Sequence, residues 1–260
     1  MVRNRKAWFG GAAAAAVAVV LGVAIAVGGG GIGQAAAGST ASGSAASGST
    51  MELSALAAPA GARTISGIST HYVLAGLPNC SYPKAPTNRL FVAMSPSEYH
   101  GASACGGYLR VTGPHGSVTV EVIDQCPECG AGHIDLSEPA FAKLAPLKAG
   151  LIKVHYRHLV NPPLPGPIAV EVKSGSSRWW LALLVENTGN PLKSVQVRTG
   201  GGRWQNLSRA NYNYWIAQSG AGAGRFTVRL IDTAGHTVTV GNIALRPGVV
   251  QSTKTYMYGH

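Results

Sequence analysis

Charge is scarce in this chain. Asp, Glu, Lys and Arg make up 12% of its 260 residues, with 10 acidic side chains against 21 Lys and Arg. So few Glu and Lys, set among 35 Gly and 15 Pro, exclude a long coiled coil, which needs sustained helical heptads. A second long apolar run is also missing. Only one stretch, near the N-terminus, approaches the about 20 residues of a membrane helix, which excludes a multi-span membrane protein. There is no Lys/Arg run and no reader motif, so nucleic acid is not an expected partner. His71, His115, His133, His155, His158, His236 and His260 are scattered without metal-ligand spacing. They read as surface or hydrogen-bonded side chains, with His133 the exception because it adjoins Asp135, and neither a metal nor a cofactor is expected.

What is present is apolar and turn-rich. A hydrophobic fraction of 46% suffices for buried cores, and the length leaves room for two ordinary domains. Arg3, Arg5 and Lys6 precede an uncharged segment, Ala7 to Ala37, with an apolar centre from about Ala12 to Val27. This is the pattern of a secretory signal over residues 1–37, with an uncleaved anchor as the alternative. Residues 38–62 are rich in Ser, Gly and Ala and read as a flexible tether. Loss of the signal takes the formal charge from +11 to +8, so the exported protein stays cationic and suited to acidic wall polymers.

An exported chain meets an oxidising compartment, so Cys80, Cys105, Cys126 and Cys129 are expected in disulfides, for which three pairings exist. The alternative for Cys126-Pro127-Glu128-Cys129 is a redox thiol pair or half a zinc site, but no βαβ pattern and no second ligand pair accompany it.

The segment Val160 to Pro167, VNPPLPGP, is stiffened by four prolines, and 161–167 reads as a hinge between two β-rich domains, 63–160 and 168–260. In the first, Tyr108 to Thr112 and Val118 to Ile123 flank a Gly-Pro-His-Gly turn and form a hairpin. A loop follows, then a helix from Ser137, a natural N-cap, to about Ala145, and a last strand from Ile152 to Arg157. The second domain has alternating segments at Ile168–Lys173, Trp180–Glu186, Val195–Arg198, Arg225–Ile231 and Thr237–Val240, the pattern of an immunoglobulin-like sandwich.

With acids so few, their positions are informative. Asp124 ends the hairpin strand and Asp135 closes the following loop, where a carboxylate on a rigid scaffold is placed for acid–base chemistry or for a sugar hydroxyl. The alternative is that Asp124 satisfies loop amides and Asp135 caps the next helix.

Ala104-Cys105-Gly106-Gly107, Val122-Ile123-Asp124-Gln125-Cys126-Pro127 and Gly132-His133-Ile134-Asp135-Leu136-Ser137 together resemble the six-stranded double-psi β-barrel of expansins, barwin-like proteins and loosenins. Lys173-Ser174-Gly175-Ser176-Ser177-Arg178-Trp179-Trp180 and Asn211-Tyr212-Asn213-Tyr214 resemble the family 63 carbohydrate-binding module of bacterial expansins. The resemblance implies an all-β protein, a double-psi barrel followed by an immunoglobulin-like sandwich. It also implies that Cys80 pairs with Cys105, leaving Cys126 to Cys129.

The barrel is similar as well to glycoside hydrolase family 45, whose catalytic acid lies in a His-Phe-Asp motif matched by His133-Ile134-Asp135. Its base lies in a Thr-Arg-Tyr-Trp-Asp motif, and the corresponding stretch Thr70-His71-Tyr72-Val73-Leu74 puts Leu74 at that position. An inverting hydrolase needs a second carboxylate to activate water, and Leu has none. The expansin resemblance implies instead that Asp135 serves wall loosening while Asp124, Thr70 and Tyr72 line a polysaccharide groove. Where bacterial relatives can carry an aromatic groove residue, this sequence has Cys126.

Trp179, Trp180 and Tyr212 resemble the aromatic platform of the family 63 module, whose flat rings suit the axial C–H faces of pyranoses. Neighbours in a regular strand point to opposite faces, so two solvent-facing tryptophans require an irregular backbone, and Gly175-Ser176-Ser177 supply one. Lys173 is a candidate contact for a chain hydroxyl or an acidic polymer. Trp204 and Trp215 read as core, and Arg198, Arg203, Arg209, Arg225 and Arg229 as a solvated cationic face. The expected activity is binding of cell-wall polysaccharide (cellulose, with xylan or peptidoglycan as further partners) and non-hydrolytic loosening by a secreted monomer. The alternatives are a lytic transglycosylase, since similar barrels occur in rare lipoprotein A, and a plain wall adhesin.

Overall fold

A computed structural model describes residues 63–259. The signal and the tether expected from the sequence lie outside the described residues. Strands β1 (Ile65–Tyr72), β2 (Phe91–Met94), β3 (Tyr108–Gly113), β4 (Gly116–Gln125), β5 (His133–Ser137) and β6 (Ile152–His158) close into a barrel of order β1-β5-β2-β4-β3-β6. The pairs β1–β5 and β2–β4 are parallel and the other four antiparallel. Period-2 patterning drives the folding of β4 and β6: Val118, Val120 and Val122, then Ile152, Val154 and Tyr156, turn inward to one apolar core.

Two expectations are corrected. Gly132–Ser137 is not a loop, because His133–Ser137 forms β5 between β1 and β2. The helix after it, α2, is only Glu138–Phe141, preceded by α1 at Pro96–Tyr99. Ser137 stands at the N-cap position, but its hydroxyl donates to the Arg89 carbonyl and accepts from the Phe91 amide, so it ties strands together instead of capping.

The second domain has two sheets. One contains β9 (Leu192–Thr199), β10 (Gln205–Asn206), β13 (Phe226–Asp232) and β14 (Thr237–Ile243), in the order β10-β9-β13-β14. The other contains β7 (Ala169–Val172), β8 (Leu181–Glu186), β11 (Ser208–Arg209), β12 (Trp215–Ala217) and β15 (Val249–Ser252), in the order β11-β12-β8-β7-β15. Their inner faces share a core that includes Val170, Leu183, Val197, Trp215, Val228 and Leu230. Trp215 is therefore core, as expected. Trp204 is not: it is half-buried against the guanidinium groups of Arg198 and Arg229, because it sits in the β9–β10 loop on the outer side of the four-stranded sheet. Arg209 also departs from expectation. It is half-buried, stacks on Trp215 at 4.5 Å and donates to the Leu192 carbonyl.

Strand β8, LALLVE, lacks alternation because both of its faces are covered. Leu181, Leu183 and Val185 enter the sandwich core, while Ala182 and Leu184 join the barrel's apolar cluster with Tyr214. The two domains thus share one strand as a packing wall.

Candidate functional site

Parallel pairing of β1 with β5 sets Thr70 beside Asp135, and pairing of β2 with β5 sets Ala93 on its other side. Asp135 is thereby fixed in mid-sheet rather than at a loop tip, and it is half-buried. The Thr70 hydroxyl donates to Asp135 Oδ1 at 2.6 Å, and Thr70 Oγ1 lies 3.0 Å from His133 Nε2. A threonine hydroxyl has one proton, so with that proton on Asp135 the His133 Nε2–H must be the donor to Thr70. The result is a relay, His133 to Thr70 to Asp135. Burial pushes the Asp135 carboxyl above its ordinary value, against the opposing pull of the Thr70 bond and His133. A carboxyl so placed keeps its proton to higher pH, the property wanted of an acid or a hydrogen-bond donor.

The start of β5 is anchored from below. Glu98 accepts from the Tyr156 hydroxyl at 2.5 Å, from Ser95 Oγ at 2.8 Å and from the Gly132 amide at 3.2 Å. A Cβ at Gly67 would lie 1.9 Å from the Gly132 carbonyl, so β1 and the approach to β5 touch backbone to backbone. Sequence reasoning missed Glu98, although Ser95-Pro96-Ser97-Glu98 has the S-x-x-E form that marks a helix start.

Asp124 behaves differently. Its Oδ1 accepts from the Asn79 amide at 2.7 Å and from the Gln125 amide at 2.9 Å, and its Oδ2 faces the Tyr72 hydroxyl at 3.4 Å. For this residue the loop-amide reading describes what the carboxylate does. Burial, then Asp124 and Asp135, push the Tyr72 hydroxyl far above the phenol range, so it remains a donor. Tyr72 also packs on the cluster of Ala93, Cys126 and Cys129. Both disulfides form, Cys80–Cys105 and Cys126–Cys129, which is the pairing implied by the resemblance. With their sulfurs bonded to each other, Cys126 and Cys129 offer no thiolate to a zinc ion.

On the sandwich, Trp179 and Trp180 precede β8 in a tight turn. The Ser177 amide donates to the Trp180 carbonyl at 2.7 Å and the Trp179 amide to Ser177 Oγ at 3.2 Å. Gly220 closes this turn: its φ is +70°, and a Cβ there would lie 2.2 Å from the Arg178 carbonyl. The irregular backbone separates the two indoles. Trp179 is 70% exposed, with the Arg178 guanidinium on it at 4.7 Å, while Trp180 is half-buried against the barrel's apolar cluster. Tyr212 is exposed and its ring lies 5.9 Å from that of Tyr214. Lys173 is carried by Tyr214, at 5.1 Å from the ring centre.

The segment bearing Tyr212 is tied to the barrel. Ser81 Oγ donates to the Tyr212 carbonyl at 2.7 Å, Asn213 Nδ2 to the Cys80 carbonyl at 3.2 Å, and the Tyr99 hydroxyl to the Asn211 carbonyl at 3.1 Å. Cys80 is in turn fixed by its disulfide. The structure therefore brings Thr70, Tyr72, Asp124 and Asp135 together on the barrel and joins that group, through Asn79 to Ser81, to Tyr212 on the sandwich.

Comparison with known proteins covers both domains. A family model described as lytic transglycolase matches residues 91–156, and the expansin C-terminal domain model matches residues 168–244. Expansin-YoaJ of Bacillus subtilis is 36% identical over 157 residues, covering 59% of this chain and 66% of that protein. Expansin-like protein 5 of Dictyostelium discoideum is 30% identical over 194 residues, covering 70% of this chain and 81% of the relative. A mutant expansin of Clavibacter michiganensis, solved in complex with cellohexaose, aligns over all of its own chain and 76% of this one, with 41% identity and a TM-score of 0.73. The chain belongs to the expansin family.

In this expansin Leu74, the position that the hydrolase resemblance assigns to the water-activating base, is half-buried and packs against the barrel's apolar cluster. The Asp124 carboxylate is committed to two backbone amides. Asp135, by contrast, accepts from a side chain, the Thr70 hydroxyl.

Proposed function

We propose that this expansin is an exported protein that binds cell-wall polysaccharide, cellulose first, and loosens non-covalent contacts between glucan chains without hydrolysing them. Trp179 and Tyr212 stack on the chain, and the groove at Thr70, Tyr72 and Asp135 takes the adjoining stretch. A protonated Asp135 donates a hydrogen bond to a glucan oxygen and competes with the bond that oxygen makes to a neighbouring chain. The observation that supports the reading is the asymmetry of the carboxylates: burial raises the Asp135 carboxyl and its partner is the Thr70 side chain, whereas Asp124 is occupied by the amides of Asn79 and Gln125 and Leu74 supplies no base. Inverting hydrolysis needs both an acid and a base at the scissile bond. The cellohexaose bound by the Clavibacter relative supports the choice of a β-glucan.

A second reading has its own support. Residues 91–156 match a model described as lytic transglycolase, and that chemistry runs on one carboxyl because a sugar hydroxyl of the substrate replaces water. The deciding experiment incubates the mature protein and Asp135→Asn with insoluble cellulose and with peptidoglycan and measures soluble sugar ends. No release from either, with cellulose binding retained, fits loosening. Release of 1,6-anhydro ends from peptidoglycan that vanishes in the variant assigns transglycosylation instead.

A further inference from the structure

Strands β3 and β4 alternate: Leu109, Val111, Val118 and Val120 enter the barrel core, so Tyr108, Arg110, Thr119 and Glu121 stand on its outer face. An outward glutamate on a barrel strand ordinarily meets water. Glu121 is half-buried instead, because the proline hinge and the end of β8 close over this face and leave a cleft of about 660 Å³. Pro162, Pro163 and Pro165 line one side of the cleft, and Tyr258 fixes Pro162 by donating to its carbonyl at 2.6 Å. Glu186 follows Ala182 and Leu184 on the barrel-facing side of β8 and enters the same cleft.

Two carboxyls thus share the cleft without a cation. The described residues hold 18 of the 21 Lys and Arg, the other three being Arg3, Arg5 and Lys6, and none of the 18 forms an ion pair within 4.0 Å. Glu121 Oε2 accepts from the Tyr108 hydroxyl at 3.1 Å, and Glu186 Oε1 is buried with no hydrogen-bond partner. Burial pushes both carboxyls up; Glu186 adds to the rise at Glu121, and Glu171 to that at Glu186. A buried carboxylate without a donor is costly, and the cost is relieved by a proton or by a cationic group brought from outside. The cations of the cleft are at its mouth, where Lys84 and Arg110 are exposed. Arg110 stands opposite Thr119, to which it donates at 3.3 Å. It is therefore the diagonal neighbour of Glu121, with about 7–8 Å between them across the strand pair.

We propose that this cleft binds a short peptide with free ends, its ammonium group between Glu121 and Glu186 and its carboxylate at Arg110 and Lys84. An ammonium group carries three N–H donors and no acceptor, so one group answers both carboxyls. A guanidinium fork takes a carboxylate through two parallel bonds. The spacing of the charges selects length: about 7 Å is two extended residues at about 3.5 Å each, so a dipeptide spans the cleft and a single amino acid falls short. A neutral glucan offers neither charge. The site stands on β3, β4 and the hinge, whereas Thr70 and Asp135 stand on β1 and β5, and it does not depend on the glucan reading of the groove. A peptide held there touches barrel, hinge and sandwich together, so its binding raises the stability of the folded chain.

The test titrates the full mature protein by calorimetry with dialanine, N-acetyl-dialanine, dialanine amide, methylammonium and cellobiose, and follows the melting temperature with each. Dialanine is expected to bind and to raise the melting temperature, and each blocked form to bind about 10-fold more weakly or worse. Glu121→Gln/Glu186→Gln keeps side-chain shape and an acceptor for Tyr108; it is expected to lose dialanine by about 10-fold or more and to bind cellohexaose like the wild type. Arg110→Gln weakens dialanine and leaves dialanine amide unchanged. Equal binding of dialanine and its blocked forms, or no heat and no thermal shift with dialanine, would overturn the proposal. Methylammonium bound as tightly as dialanine would reduce the cleft to a cation hole and overturn the peptide assignment. Cellobiose binding that the double Gln variant abolishes would make the cleft a sugar site and overturn it as well.

Discussion

The Asp124 carboxylate accepts the Asn79 backbone N–H at 2.7 Å, and that bond ties the end of β4 to the loop that meets the sandwich. Asn79 and Ser81 flank disulfide-bonded Cys80, and the segment they bound holds Asn211 to Asn213, including Tyr212. Asn79 is exposed, so water replaces the lost acceptor and the cost is that of one net hydrogen bond, about 1 kcal/mol. Asp124→Ala should therefore lower stability by about 1 kcal/mol and free the Asn79 amide to exchange, as read by thermal unfolding and amide hydrogen exchange. Unchanged protection at Asn79 would show that the loop is held without Asp124.

The two tryptophans should separate cleanly on mutation. Trp179 is exposed, so Trp179→Ala should leave the melting temperature nearly unchanged and weaken cellulose binding about 10-fold, the worth of one stacking ring. Trp180 packs on the barrel cluster, so Trp180→Ala should cost about 2–3 kcal/mol of stability. Binding isotherms and denaturant melts on the two variants check this. A reversed pattern would mean that the indoles exchange roles.

Gly220 is predicted to be as important as the aromatic it supports. Gly220→Ala forces a Cβ into the Arg178 carbonyl at a positive φ, with an expected cost of about 1–3 kcal/mol and a cellulose affinity reduced toward that of Trp179→Ala. An isotherm identical to wild type would show that the turn relaxes without moving Trp179.

Stability should fall as pH rises from 4.5 to about 7. Burial pushes the Glu121 carboxyl up from 4.5 to about 7, opposed by the Tyr108 hydroxyl bond and reinforced by Glu186. The folded state therefore keeps a proton that the unfolded chain loses above pH 4.5, so it is favoured at low pH and loses that advantage between pH 4.5 and about 7. Burial raises Asp135 and Glu186 in the same direction. The Glu121 share is at most about 3 kcal/mol. Melting temperatures at pH 4.5 and 7.5 should differ in the wild type and converge in Glu121→Gln. An equal difference in both proteins would assign the pH dependence to other groups.

The parts of the fold legible in the sequence are those with a plain period. The hairpin β3–β4 and the last barrel strand β6 alternate and were readable, as were β9 and β13. β2, FVAM, is buried throughout, and β1, ISGISTHY, offers few large apolar residues, so neither shows an alternation. β5 is short and follows Gly132, which favours a loop reading until its pairing with β1 and β2 is known. Within the site, the motifs identify Asp124 and Asp135, but spacing does not tell which carboxylate is engaged by amides. That depends on Asn79, 45 residues away. Trp204 reads as core because an aromatic among apolar residues usually is; the arginines that hold it come from two strands separated in sequence.

Wall extension under constant load tests the central claim most directly, with heat-inactivated cellulosic wall strips given wild-type protein or Asp135→Asn at matched bound amounts. The account predicts creep with the wild type, little or none with Asp135→Asn, equal adsorption of the two, and no soluble sugar in either bath. Creep at the wild-type rate by Asp135→Asn, or creep that tracks the release of soluble sugar, would contradict it.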